Sequence, residues 1–260
     1  MKIGVIGAGM VGGTLIKWLK KHTKHEVKIL DHIKGFEDDL SDCKAIFIAI
    51  PVNATSQGQD IRSLTRVVNM AKKYTEFVFI RSTVLPKTND SLGTISMPEF
   101  LTARHAYRDM CKLPIVSGYG EFDKKIILKL LKSIFPKKEI ILVSNTEAEL
   151  AKYTHNVFGA VKVTYFNMIK KISDLYELNF EEVKKAANIT GYLGKEHMQV
   201  PGHDGHLGYG GTCFPENMMS FKGLLFLYNR VKRDPFKFMK EYEFIRSVTA
   251  MNRSYRGNNK

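Results

Sequence analysis

Four short segments hold residue types that can do chemistry together. Cys213 closes the run Gly208-Tyr209-Gly210-Gly211-Thr212 and stands just before Phe214-Pro215, where a helix is expected to start. A sulfur there faces the free N–H groups of a helix terminus, which suits a nucleophile. The preceding glycines let the backbone fold closely around a ligand. Lys152 and Asn156 lie four residues apart, so a helix puts an ammonium and an amide on one face. Pro98-Glu99-Phe100-Leu101 adds a carboxylate. Arg81-Ser82-Thr83-Val84 adds hydroxyls at the end of an apolar run, the end at which α/β sheets place ligands. Taken singly, each has a plainer explanation: a small buried cysteine, a helix-face pair, a turn.

A fifth segment, Gly7-Ala8-Gly9-Met10-Val11-Gly12, has the spacing GxGxxG between an apolar run and an amphipathic stretch. Such glycines permit a tight turn, let the backbone approach a pyrophosphate, and leave helix N–H groups to hold the phosphates. Asp31 ends the next apolar run, 31 − 12 = 19 residues after Gly12. A carboxylate there accepts from both adenosine ribose hydroxyls and repels a 2′-phosphate, so NAD is expected over NADP. Lys34 is the nearest cation. The cofactor residues expected are Gly7, Gly9, Met10, Val11, Gly12, Asp31 and Lys34, with Pro51 and Val52 after the third strand and Ser82 and Thr83 after the fourth.

The elements that must position these groups follow from periodicity. Strands are expected at 2–6, 26–31, 45–51 and 77–84, and at the apolar runs 113–118 and 139–144. Helices are expected between them at 11–21, 58–73 and 123–134. Strands alternating with helices mean an α/β, doubly wound parallel sheet of the Rossmann type. After Ser144 the pattern becomes all-helical. Thr146 to Glu149 has capping-box spacing, and apolar periodicity then runs to about Leu178, an unusually long central helix. Asn179 with Glu182 caps a further helix to about 189, a glycine-rich loop spans 201–212, and helices follow at about 216–230 and 235–255. Two domains are expected: 1–144, binding NAD, and 145–260, helical, with the cysteine loop.

Composition narrows the class. The chain has 260 residues, 44% of them hydrophobic, enough for a packed core. No run of 18 apolar residues suggests a membrane span, and the N-terminus reads as a strand, without a signal cleavage site. Three widely spaced cysteines (Cys43, Cys111, Cys213) without CxxC pairs disfavour disulfides and a zinc site, so no metal and a reducing, cytoplasmic compartment are expected. The net charge of +14 suits an anionic substrate, but the lysines are scattered over polar faces and no nucleic-acid reading motif appears.

In order and wording the segments resemble the UDP-glucose/GDP-mannose dehydrogenase family, whose strand motif STV is followed by PEFL, a long helix with KxxxNxF, and GYGG[ST]CFPKD. Here they run as Ser82-Thr83-Val84, Pro98 to Leu101, Lys152 to Phe158 and Gly208 to Pro215, within a resemblance over about residues 1–255. It implies NAD-dependent, two-step oxidation of a nucleotide-sugar C6 alcohol to a carboxylate, of the kind a UDP-glucose 6-dehydrogenase performs. Cys213 would form a thiohemiacetal and then a thioester. Lys152 would stabilise negative charge on the reacting oxygen, Asn156 would hold that oxygen or a water, and Thr83 and Glu99 would position the hydrolytic water. Phe100, Leu101, Gly208, Tyr209 and Gly210 would line the substrate, and the long helix would form a homodimer.

The sequence also departs from the family. CFPKD reads Cys213-Phe214-Pro215-Glu216-Asn217, so an amide stands where a base is expected, and Glu216 reverses a lysine's charge. Ala103 replaces a second glutamate. Residues 109–229 contain no arginine to reach a neighbouring subunit, and Lys195 is the substitute. The chain stops at Lys260, where family members continue into a second α/β domain that grips the nucleotide. This short form is expected to take nucleotide recognition from another chain, to use a smaller sugar substrate, or to have lost catalysis. The alternative is a catalytically impaired NAD-binding protein or regulatory partner. A relative of the β-hydroxyacid dehydrogenases, which share the KxxxN helix, fits less well, because the approach to that helix lacks glycine.

Overall fold

The computed structural model describes residues 1–231 and 237–257. In chain order the elements are β1 (Lys2–Ile6), α1 (Met10–His22), β2 (Glu26–Asp31), β3 (Phe36–Glu37), β4 (Ala45–Ile48), β5 (Asn53–Thr55), β6 (Gly58–Asp60) and α2 (Arg62–Ala71). Then come β7 (Val78–Ile80), α3 (Thr88–Leu92), β8 (Ile95–Ser96), α4 (Ala106–Lys112), β9 (Ile115–Ser117), α5 (Lys124–Ile134) and β10 (Ile140–Leu142). The helices α6 (Asn145–Leu175), α7 (Phe180–Ala187), α8 (Cys213–Val231) and α9 (Met239–Arg256) complete the chain. Two compact units result: Met1–Asn53 with Gln59–Tyr153, and Ala54–Gly58 with Thr154–Lys260.

The first unit is built on a six-stranded sheet of order β3-β2-β1-β4-β7-β8. All pairings are parallel except the short edge pair β2–β3. Val5 sits between Ile29 and Phe47, and Ile3, Val5 and Ala45 to Ile48 are fully buried, the continuous apolar run of a strand covered on both faces. Phe47 stacks on Phe79 at 4.9 Å, and Leu15, Trp18 and Leu19 of α1 close the core. Because β1 lies between β2 and β4, the chain leaves it in opposite directions on its two sides. The crevice this opens at the strands' carboxyl ends is where such sheets bind ligands.

Several expectations shift. The apolar runs at 113–118 and 139–144 form a separate parallel pair, β9–β10, joined to β8 by Gly118 N–H donating to Ser96 O at 2.7 Å. The helix expected at 58–73 starts only at Arg62, because Asn53–Asp60 forms the small sheet β5–β6. The cap of α6 is Ser144, not Thr146. Ser144 N–H donates to Glu147 Oε2 at 2.7 Å and Glu147 N–H to Ser144 Oγ at 3.2 Å, a reciprocal box two residues earlier. Glu149 turns inward instead and accepts from Lys87 N, Asn89 N and Asn89 Nδ2.

In the second unit α6 ends at Leu175, three residues before the periodicity does. Asn179 caps α7 as expected, accepting from Glu181 and Glu182 N–H. The helix expected from 216 begins at Cys213 itself; the one expected from 235 is in place from Met239, and residue 235 lies outside the described residues. Ala160, Tyr209, Met218, Leu225, Ile245 and Val248 form the core between α6, α8 and α9. Gly223 lets α8 touch the β5–β6 turn: a Cβ there would lie 2.4 Å from Gly58 N.

Candidate active site

The glycine turn is held from both sides. Asp31 Oδ2 accepts from Ala8 N at 2.7 Å and Oδ1 from Lys34 N at 3.2 Å, while Lys34 Nζ donates to Ala8 O at 2.7 Å. Asp31 therefore braces the turn as well as offering each oxygen's remaining lone pair to a ribose hydroxyl. Gly7 (φ +88°) and Gly12 are demanded by the protein itself. A Cβ on Gly7 would lie 2.5 Å from Ala49 O, and one on Gly12 only 1.8 Å from Gly7 O. Gly9 differs: a Cβ there meets nothing within 4 Å, so open space faces the backbone at the start of α1. That is room a pyrophosphate fits, at N–H groups that favour an anion, beside a carboxylate that disfavours a 2′-phosphate. The residues present fit NAD. Around them Met10 and Pro51 are exposed and Val11 and Val52 half-buried. Ser82 Oγ donates to Ile50 O at 2.6 Å, and Thr83 O accepts from Gln59 Nε2 at 3.0 Å.

Elsewhere in the first unit the PEFL turn meets α6. Lys152, 3% exposed, places Nζ 3.1 Å from Glu99 Oε1, and Glu99 Oε2 accepts from Leu101 N at 2.5 Å. Lys152 Nζ also lies 5.4 Å from the Phe100 ring centroid, and Leu101 packs on the sheet core. Arg81, not expected to belong to the site, is 2% exposed, and burial pushes its guanidinium down to about 10 against the opposing pull of Glu99. Desolvating charge is costly without an opposite charge at hand, and Glu99 supplies it to both cations.

In the second unit Cys213 is exposed at the first residue of α8. Its neighbour Phe214 fixes that position: a Cβ on Gly159 of α6 would lie 2.6 Å from the Phe214 ring, which also packs against His197 and Tyr209. One turn into α8, Asn217 is buried and its Oδ1 accepts from Asn156 Nδ2 at 2.5 Å. The other two cysteines differ from Cys213. Cys43 is buried, which raises its thiol to about 11, and Cys111 is exposed on α4.

The glycines of the cysteine loop have a different cause from the one expected. Gly208 N donates to Asn167 Oδ1, Tyr209 N and O bond Asn252, and Arg256 Nε donates to Tyr209 O. A Cβ on Gly208 would lie 2.4 Å from Asn252 Oδ1, and one on Gly210 2.1 Å from an Arg256 nitrogen. These two glycines make room for α9, and Tyr209 is buried in the helical core. Gly205 and Gly211, both at positive φ, face open space. The sequence reading did not single out Asn252 and Arg256, although the two stand four apart at the end of a helix and so share a face. Glu216, Ala103 and Lys195 are all exposed.

The sheet order and the braced glycine turn define a Rossmann-type dinucleotide-binding unit joined to a helical unit. Residues 146–253 match the UDP-glucose/GDP-mannose dehydrogenase family, central domain, and the similarity to curated relatives extends over 85% of the chain. The UDP-glucose 6-dehydrogenase of Streptococcus pneumoniae is 26% identical over 275 residues, 85% of this chain and 68% of that protein. The Bacillus subtilis protein YtcA, provisionally named a UDP-glucose 6-dehydrogenase, is 28% identical over 274 residues, 85% of this chain and 63% of its own length. The chain thus spans less than two thirds of YtcA, and 46% of the UDP-glucose 6-dehydrogenase of Rickettsia conorii. In fold it is similar to a UDP-glucose dehydrogenase from Pyrobaculum islandicum (TM-score 0.80, 19% identity, 97% of this chain and 68% of that one). No helix among the described residues is long and apolar enough to cross a membrane.

Proposed function

We propose that the protein is an NAD-dependent oxidoreductase that converts a nucleotide-sugar C6 alcohol to the carboxylate through a covalent intermediate on Cys213. The observation that carries this is an exposed thiol at the first residue of α8, directly after a loop clamped by Asn167, Asn252 and Arg256. A structural cysteine is usually buried, as Cys43 is.

The Gly7–Gly12 turn, Asp31 and Lys34 would hold NAD, which would supply the hydride acceptor. Lys152 stabilises negative charge on the reacting oxygen, with Glu99 fixing its ammonium. The C6 alcohol would lose a hydride to one NAD and a proton to solvent, giving the aldehyde. Cys213 attacks its carbon to give a thiohemiacetal, and loss of a second hydride to a second NAD would leave the thioester. A water that Glu99 and Thr83 orient hydrolyses it to the carboxylate and the free thiol. Asn156 and Asn217 hold polar atoms of the intermediate; Asn217, an amide, takes no proton. Phe100, Leu101 and the Gly208–Gly210 backbone shape the sugar pocket. The proposal sets the reaction in the cytoplasm, a reading supported by three widely spaced cysteines without CxxC pairs, which suit a reducing compartment.

A homodimer through α6 completes the proposal. Phe158 (65% exposed), Tyr165 (49%) and Ile172 (44%) recur every seven residues along it, the spacing of a helix-pairing stripe. Light scattering should give twice the chain mass, and Tyr165→Glu should give a monomer.

The decisive assay follows NADH absorbance with a panel of UDP- and GDP-sugars. Wild type should form two NADH per sugar oxidised, and Cys213→Ala should form no carboxylate. Absence of NADH from every sugar, with NAD binding intact by calorimetry, would instead support the second reading, a cofactor-binding partner protein. The amide of Asn217, already paired with Asn156, is the observation that favours it.

A further inference from the structure

The buried side chains of the first unit hold one unexplained group. Arg81 follows β7, and its own N–H donates to Ile48 O at 2.8 Å, which fixes its backbone in the sheet. Its side chain is then enclosed, 2% exposed, yet Nε has no acceptor among the described residues. A buried N–H without a partner costs about 1–3 kcal/mol, more when charged, so native structures seldom leave one.

What surrounds Arg81 indicates what it does. It lines a cavity under the PEFL turn together with Glu99, Asp109, Leu101 and Leu113. The cavity has about 20 Å³ of room for the centre of a water-sized sphere, which is what one ordered water requires. Of the two carboxylates in its wall, Asp109 is already engaged by Thr102 N and Oγ1 and by Arg108. Glu99 has a single side-chain donor, Lys152, and acts electrostatically on Arg81. The charged groups facing Glu99 are therefore Arg81 at the end of β7, Lys152 on α6 and, across the cavity, Asp109 with Arg108 on α4.

We propose that Arg81 is a positioning residue. It braces Glu99 from the side opposite Lys152, and its Nε donates to one water held in this cavity. Arginine suits the task because its planar group presents donors in several directions at once, whereas lysine offers a single point charge. The consequence for turnover rests on the role of Glu99 proposed above; the bracing itself does not.

The test therefore reads the bracing separately from activity. In deuterated, ¹⁵N-labelled protein the Leu101 amide, which donates to Glu99 Oε2, reports whether Glu99 is in place. Its hydrogen exchange should be at least tenfold faster in Arg81→Met than in wild type, with Arg81→Lys recovering part of the difference. The Gly118 amide, bonded to Ser96 O, should stay unchanged as the control for folding. In wild type the Arg81 Nε–H should show a cross-peak to water. If the enzyme turns over, Arg81→Met should lower kcat more than it raises KM for NAD. Equal Leu101 exchange in folded wild type and Arg81→Met overturns the bracing. A missing Nε–water cross-peak overturns the water even if Arg81→Met fails to fold. An inactive wild type with fast Leu101 exchange in Arg81→Met would remove only the catalytic reading of Glu99.

Discussion

The molecule has two glycine-rich turns ahead of helices, and the same residue type is used in them for opposite purposes. In the Gly7–Gly12 turn the outer glycines answer to the protein's own backbone, while Gly9 faces open space. In the Gly208–Gly211 loop the first two glycines answer to Asn252 and Arg256, and the open position is Gly211, two residues before the thiol. A glycine pattern therefore does not by itself locate a ligand. What points to it is a glycine that neither a nearby protein atom nor a positive φ explains: Gly9 meets that condition, whereas Gly211, at φ +72°, is accounted for by its turn.

The comparison breaks most readily at the first turn. Gly12→Ala puts a Cβ against backbone that cannot yield, so the first unit should lose about 3 kcal/mol or more, read by urea unfolding. Gly9→Ala, with an ordinary φ of −66° and nothing to strike, should change stability by less than about 1 kcal/mol. Its NAD affinity should nevertheless fall about tenfold or more by calorimetry, since the new methyl occupies the phosphate's room. Equal destabilisation by the two substitutions would erase the distinction.

At the second turn the clamp can be removed from its other side. Asn252→Ala strips the partner from the buried N–H of Tyr209 and leaves its C=O with Arg256 alone, which should cost about 2 kcal/mol. It should also lower the rate of Cys213 alkylation by iodoacetamide relative to Cys111, because the loop no longer presents the thiol in one geometry. An unchanged alkylation ratio would mean that Asn252 serves packing alone.

Much of this was legible in the sequence, and the gaps have physical causes. β1 and β4 could be read because strands buried on both faces are unbroken apolar runs. β3 and β8 have two residues each, too short for any period to register. The α6 cap was misplaced by two residues because Ser144 and Thr146 both stand three before a glutamate, and only tertiary structure shows that Glu149 is committed to Asn89. Lys152, Glu99 and Cys213 stood out by type and order. Arg81, Asn252 and Arg256 did not, because their work is to hold other groups and their partners are far away in sequence.

Asn217 sharpens the contrast at the level of chemistry. The first unit's site keeps a carboxylate, Glu99, against its cation; the second has two amides bonded to each other. Asn217→Asp keeps an acceptor for Asn156 Nδ2 and adds a group able to take a proton from water. The rate of carboxylate formation should rise about tenfold if thioester hydrolysis limits turnover, equivalent to about 1.4 kcal/mol in the barrier. No gain would indicate that Asn217 is a structural partner of Asn156.

The smallest effect expected concerns His197, whose ring packs at 5.2 Å on Phe214 beside the thiol. Burial lowers its pKa from the ordinary 6.5, more than Glu196 raises it. The folded state therefore binds its proton less readily than the unfolded chain does. Above pH 6.5 the ring is neutral in both states and its contribution to stability is fully present. As pH falls below 6.5 the unfolded chain gains a proton that the folded one resists, and stability declines until the folded pKa is passed. Urea unfolding at pH 7.5, 6.5 and 5.5 should show this decline. His197→Gln should flatten it, while the Gly7–Gly12 turn, which has no histidine in it, should bind NAD equally well across the same range. A slope that survives in His197→Gln would assign the acid sensitivity elsewhere and leave Phe214, and with it the placement of Cys213, independent of the ring's charge.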